Sequence, residues 1–174
     1  LSPRLHGYWL RHYGIDGAYI PLPVSPENVE QAVRALPALG FRGANVTVPH
    51  KEAAFRAVDR ADGVAERLRA VNTIVVAPDG SLEGRNTDGY GFLENLKQAS
   101  TGWQPEGGPV TVIGAGGAAR AIIATLLDAG VAELHLINRT EKRAHQLVAD
   151  LGGGAGDRIA TIAWEDRAAA LKDT

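Results

Sequence analysis

Two spacings of apolar residues take turns along the chain and divide it into elements. Where apolar residues recur every three to four positions a helix is expected, and where they run together or alternate singly a strand is expected. Residues 1–15 (LSPRLHGYWLRHYGI) read as a helix with Ser2 as N-cap, Pro3 in the first helical position and Gly14 as its stop. Residues 18–24 (AYIPLPV) have the composition of a strand, but two prolines confine it to a sheet edge or a loop exit. Residues 25–40 repeat the Ser-Pro start and continue as an amphipathic helix. A strand is expected over 41–48 (FRGANVTV), and helices over 51–59 and 63–70. Residues 71–88 read as two strands about a turn at Pro78, Asp79 and Gly80, and 89–99 as a helix.

The pattern changes at residues 100–109 (STGWQPEGGP), which are rich in glycine and polar residues and read as a linker. A regular unit follows: strand 110–117, helix 119–130, strand 132–139, helix 140–152 and a third strand over 158–164. Strands alternating with helices imply a parallel sheet. The fold class expected is α/β, with an N-terminal α/β domain over 1–99, the linker 100–109, and an incomplete Rossmann-type nucleotide domain over 110–174. No internal repeat interrupts this order.

Composition narrows the function classes. The 174 residues are 45% hydrophobic and 22% charged, with a formal net charge of −2, which is globular and carries neither a basic nucleic-acid footprint nor a polybasic membrane patch. No nucleic-acid or membrane partner is therefore expected, and a cytoplasmic protein is. There is no cysteine, hence no disulfide framework or thiolate metal site, and the five histidines lack metal-ligand spacing. The chain has no methionine and opens on Leu1, so it reads as part of something longer.

Candidate chemistry enters first at VIGAGGAAR. Gly114, Gly116 and Ala119 form a Gly-x-Gly-x-x-Ala turn directly after a strand and at the opening of a helix. Gly114 permits the tight turn, Gly116 lets the backbone approach a pyrophosphate, and the helix N-terminus offers free amides to that anion. Gly114, Ala115, Gly116, Gly117, Ala118 and Ala119 are thus candidate dinucleotide-binding residues. At the end of the next strand, where an NAD site carries an acid, stand Asn138, Arg139 and Thr140. A missing acid and an added arginine suit a 2′-phosphate, hence NADP, with Arg139 as its partner and Thr140 and Lys142 as further donors. A solvated Arg139 with Thr140 capping the next helix is the alternative.

The second candidate is NVTVPHK. Of eighteen basic residues only Lys51, Lys97, Lys142 and Lys172 are lysine, and Lys51 stands just past a strand and a proline, where a helix begins. The positive end of a helix disfavours another cation, so stability does not select lysine there. In order along the chain come SPRLH, NVTVPHK, AVNT, NTDG, GAGGAAR and NRT. Together they resemble the shikimate dehydrogenase family. The resemblance implies an NADP-dependent oxidoreductase of aromatic amino-acid (chorismate) biosynthesis that reduces 3-dehydroshikimate to shikimate, with a substrate domain first, a nucleotide domain second and the active site in the cleft between them. It implies a catalytic pair, Lys51 and Asp88, and substrate-binding positions Ser2, Thr47, Lys51, Asn72 and Asp88. It also implies a serine and a strand ahead of Leu1, and further helices after residue 174. Oligomeric state stays open between monomer and homodimer.

Reduction of a carbonyl needs a proton at its oxygen, which lysine can supply and arginine cannot. Asp88 could orient that lysine or simply cap the helix that follows. Asn72 and Asn86 flank the hairpin, and each could serve only its turn or strand end. Thr47 could be an ordinary strand residue and Ser2 only a helix cap. His50 is discounted as an acid or base because strand neighbours face opposite ways. The hinge is expected near residues 100–109, with Lys51 and Asp88 within reach of each other and Gly116 across the groove. Two other readings stay open: a quinate/shikimate dehydrogenase of the same superfamily, and a catalytically silent nucleotide-binding relative.

Overall fold

Seven strands form two separate sheets in the computed structural model, which describes residues 1–152 and 154–172. In the first half they are β1 (Gly43–Asn45), β2 (Arg60–Ala61), β3 (Thr73–Val76) and β4 (Leu82–Arg85), and in the second β5 (Val110–Ile113), β6 (Leu134–Ile137) and β7 (Ile159–Ile162). The helices are α1 (Ser2–His12), α2 (Val29–Ala35), α3 (Lys51–Ala57), α4 (Gly63–Leu68), α5 (Asp88–Ala99), α6 (Gly117–Asp128), α7 (Glu141–Leu151) and α8 (Arg167–Ala170).

The first sheet is mixed. Its order is β1-β3-β4-β2, antiparallel except where β2 runs parallel to β4. The β3–β4 hairpin turns where expected, with Gly80 at φ +84 and the Asp79 carboxylate accepting from the Ser81 N–H. Val29, Val33 and Leu36 cover this sheet together with Ala54 and Ala57, closing a core on Val71, Ile74 and Leu82. The second sheet is parallel throughout, in the order β5-β6-β7, with α6 and α7 as crossovers. Its core joins Ile123, Leu126 and Leu127 of α6 to Leu134 and Leu136 of β6 and Leu147 of α7. The alternation of strand and helix read from the sequence is thus the architecture found. Gly153, Asp173 and Thr174, inside the expected nucleotide domain, lie outside the described residues.

Several local expectations differ. Residues 18–24 form no strand, since Pro21 and Pro23 have no N–H to give a ladder. The strand expected over 41–48 is only three residues long in β1 and ends in a turn closed by the His50 N–H on the Thr47 carbonyl. Ser2 is the first residue of α1 and not its cap, and Leu1 takes the cap position. No helix among the described residues is long and apolar enough to cross a membrane.

Helix α5 packs closely on α6, and Phe92 and Trp103 lie against the second core. The segment 100–109 is therefore anchored to that core through Trp103. Behind α5, Leu68 of α4 meets Ala121 and Ala124 of α6, and Arg67 grips Asp128 with two hydrogen bonds of 3.0 and 2.5 Å. That hydrogen bonding raises the Arg67 guanidinium above its ordinary value. Both partners are well exposed, so the apolar contact and not the ion pair supplies most of the attachment.

Helices α5 and α6 approach closely at Gly89, which is buried. A Cβ built there would stand 1.9 Å from Thr125 Oγ1, 3.1 Å from Thr125 Cβ and 3.3 Å from the Ala121 carbonyl oxygen. Gly89→Ala should therefore cost about 1–3 kcal/mol of stability by overpacking. Thr125→Ala in the same chain should recover part of that loss, read by urea denaturation. An unchanged midpoint for Gly89→Ala would show that the two helices have room to separate.

Candidate active site

Lys51 is the first residue of α3, following His50 in the cap position, and Asp88 is the first residue of α5, following Thr87. The two helix starts converge. Lys51 Nζ donates to Asp88 Oδ2 at 2.5 Å, with side chains 20% and 31% exposed, so the pair is sheltered yet reachable. Asp88 Oδ1 accepts from Asn72 Nδ2 at 2.8 Å. Asn72 Oδ1 in turn accepts from the Thr87 N–H at 3.1 Å and the Thr73 hydroxyl at 2.9 Å. The Asp88 carboxylate is thus shared between a cation and an amide at the start of its own helix. It is not the cap of α5 that the sequence also allowed; its carboxylate points to Lys51 and Asn72.

The remaining first-half candidates are not hydrogen-bonded into this cluster. Thr47 lines an apolar cavity of about 130 Å³ with Asn45, His50, Leu22 and Val24. Its side chain makes no hydrogen bond to Lys51, Asn72 or Asp88 among the described residues, and neither does that of Ser2. His50 faces that cavity from the helix cap position, so strand alternation is not what separates it from Lys51.

The glycine turn has the shape expected. Gly114 has φ +116, in the region that favours glycine, and its N–H donates to the Ile137 carbonyl at 2.7 Å. Gly116 caps α6 in extended conformation. A Cβ at Gly114, Gly116 or Gly117 would meet nothing within 4 Å, so the space above the turn is open. No acceptor among the described residues meets the amides of Gly116, Gly117, Ala118 and Ala119. Free amides, an open face and the helix dipole together make a receptor for an anion such as a pyrophosphate. Ala115 and Ala119 also pack against the second core, which fixes the turn to its sheet.

The end of β6 is fastened to this turn by Asn138. Its Oδ1 accepts from the Ala115 N–H at 3.2 Å, and its Nδ2 donates to the Thr140 carbonyl at 2.7 Å. Arg139 and Lys142 are exposed and make no side-chain hydrogen bond or ion pair among the described residues. Thr140 stands at the cap of α7 without a side-chain cap bond.

An open cavity of about 270 Å³ joins the halves: Gly116 and Gly117 line it from one side and Glu52, next to Lys51, from the other. Arg120, Arg143 and Asp150 complete its rim. Arg120 pairs with Asp150, whose carboxyl is held below its ordinary value first by the Gln146 amide and then by Arg120. Arg143 has no such acid among the described residues. Sequence reading passed over Arg143, yet it lies in the first turn of α7, where a cation is disfavoured, the same anomaly that singled out Lys51. Nothing in the sequence marks Glu52 beyond its neighbour.

The two halves match two known families. Residues 1–74 match the shikimate dehydrogenase substrate binding domain, and 97–172 match the shikimate / quinate 5-dehydrogenase domain. The chain belongs to the shikimate dehydrogenase family. It is 59% identical over 171 residues to the shikimate dehydrogenase (NADP(+)) of Paramagnetospirillum magneticum, covering 98% of this chain and 60% of that relative. Among solved structures, the shikimate 5-dehydrogenase of Listeria monocytogenes in complex with shikimate and NAD superposes with a TM-score of 0.86 at 32% identity, covering 99% of this chain and 60% of that one. The Thermus thermophilus enzyme in complex with NADP(H) and shikimate gives 0.81 at 36% identity, covering 95% and 59%. The chain thus spans about 60% of the length of these family members.

Asn138 and Arg139 should separate cleanly in a stability experiment. Asn138→Ala strands the part-buried Ala115 N–H and should cost about 1–3 kcal/mol. Arg139→Ala breaks no bond and should stay within about 0.5 kcal/mol of the parent. Equal denaturation midpoints for the two variants would refute this division of labour.

Proposed function

We propose that this chain carries the substrate and cofactor sites of an NADP-dependent shikimate dehydrogenase, which reduces 3-dehydroshikimate reversibly to shikimate. The observation that carries the reading is the Lys51–Asp88 pair, held on its far side by Asn72, with Glu52, next to Lys51, lining the same cavity as Gly116. NADPH, when bound, supplies the hydride. Lys51 supplies the proton: its ammonium carries three N–H groups, one of which is given to Asp88 Oδ2, leaving two for a substrate oxygen. In the return direction the neutral amine accepts the proton of the hydroxyl. Asp88 fixes the direction of Nζ and, as an acceptor, can hold a substrate hydroxyl. Asn72 holds Asp88 and is itself a candidate substrate contact, with Ser2 and Thr47 as the outer binding positions.

For the cofactor, the open amides from Gly116 to Ala119 fit the pyrophosphate, and Gly114 and Ala115 shape the turn that presents them. Arg139 fits a 2′-phosphate, having no competing acid; Arg143, on the cavity rim, is added to it, while Asn138, Thr140 and Lys142 frame the same corner. The absence of an acid at the end of β6 favours NADP over NAD. We further propose two domains, with the change-over ahead of α5 near residues 86–88, because α5 packs on α6 and Trp103 on the second core. The cytoplasm is the setting this reading implies, and the oligomeric state is left open between monomer and homodimer.

Full-length protein assayed with shikimate against quinate, and with NADP against NAD, tests the reading; preference for quinate with NAD would favour the quinate branch of the family. Lys51→Met should lower kcat by roughly 100-fold or more, the scale of positioned proton transfer, with NADP affinity nearly unchanged. A variant with near-normal rate would remove Lys51 from the chemistry. A charge-assisted contact to phosphate is worth about 1.5–3 kcal/mol, so Arg139→Ala should weaken NADP roughly 10- to 100-fold. NAD should be little affected, and equal losses for both cofactors would exclude a 2′-phosphate contact.

A further inference from the structure

Asn86 is the one buried polar side chain among the described residues, 6% exposed, and it lies two positions ahead of Asp88. Both ends of its amide are engaged. Nδ2 donates to the Ala70 carbonyl at 2.9 Å, and Oδ1 accepts from the Asp88 N–H at 3.1 Å. A carbonyl only accepts and an N–H only donates, so the amide cannot be turned round.

Ala70 leads directly into the segment that carries Asn72. The Val71 N–H donates to the Lys51 carbonyl at 2.9 Å, and the Asn72 N–H to the Arg85 carbonyl at 3.0 Å. One set of bonds therefore joins the side chains of Lys51, Asp88 and Asn72. A second, beneath it, joins the backbones of the same three residues and passes through Asn86. Closing the turn before Asp88 needs only an oxygen acceptor, which aspartate or serine also offers. The bond to Ala70 needs a donor on the same side chain, and asparagine alone among these turn formers carries an amide that provides both.

We propose that Asn86 is a positioning residue for the reacting pair, setting the backbone of Asp88 against Lys51 and Asn72 without touching substrate. The proposal rests on the reading of Lys51 and Asp88 as the pair that handles the proton. If Asn86 acts through Asp88, its removal should matter only while Asp88 is functional.

A double-mutant cycle in the full-length enzyme tests this. Asn86→Ala should lower kcat roughly 10- to 100-fold, the scale of a small misplacement of a reacting group, with the Kd for NADP within about twofold of the parent. In an Asp88→Asn background the same change should lower kcat by less than about twofold, because residues that act as one network are not additive. Should Asn86→Ala not fold, the cycle is run with Asn86→Ser, which keeps the turn acceptor and should show a smaller loss with the same non-additivity. Equal losses in the two backgrounds, or a parental kcat for Asn86→Ala, would overturn the proposal while leaving the pair intact. A parental rate for Asp88→Asn alone would overturn the pair, and the positioning role with it.

Discussion

Helix α5 begins at Asp88, and one residue later it lies so close to α6 that no side chain fits. Gly89 against Thr125 and Ala121 is the contact on which the arrangement of the halves depends. Helix α6 starts at the glycine turn and α5 starts at Asp88, so their close packing ties the anion receptor to the carboxylate. Nothing larger than glycine allows this without moving one helix or the other. The small residues Ala121 and Ala124, packed on Leu68, extend the same close contact to α4.

Within that frame the electrostatics is local. Two helices, α3 and α5, present their positive ends toward one another, one starting with a lysine and the other with an aspartate. The aspartate is favoured at such a place and the lysine is not, so each stabilises what the other end needs. Asn72 occupies the other carboxylate oxygen and in doing so fixes which one remains for Lys51. On the proposed reading, this leaves the ammonium aimed and partly free, as a proton donor to a bound carbonyl must be.

The parallel sheet, the hairpin and the glycine turn were legible because each depends on short-range chemistry: strand-helix alternation, a Pro-Asp-Gly turn, and glycines at fixed spacing before a helix. The pairing of Lys51 with Asp88 was anticipated from motifs in order, but its third member, Asn72, could equally have served its strand end. What sequence could not supply came from contacts distant along the chain. Residues 100–109 read as a linker, and glycine and polar content say nothing of one aromatic, Trp103, packing against a core. Thr47 and His50 were read as strand residues, whereas β1 ends early and a turn redirects both. Arg143 was visible only as a cation in an unfavourable place, a signal followed at Lys51 and not at α7.

On the proposed reading, one cleft brings the Lys51–Asp88 pair and the glycine turn to bear on the same pair of ligands. A crystal structure of the full-length protein with NADP and shikimate measures this directly. The pyrophosphate is expected on the amides from Gly116 to Ala119, and a shikimate hydroxyl in hydrogen-bond reach of Lys51 Nζ and Asp88. Shikimate bound away from Lys51, or a pyrophosphate held elsewhere than at the start of α6, would contradict it.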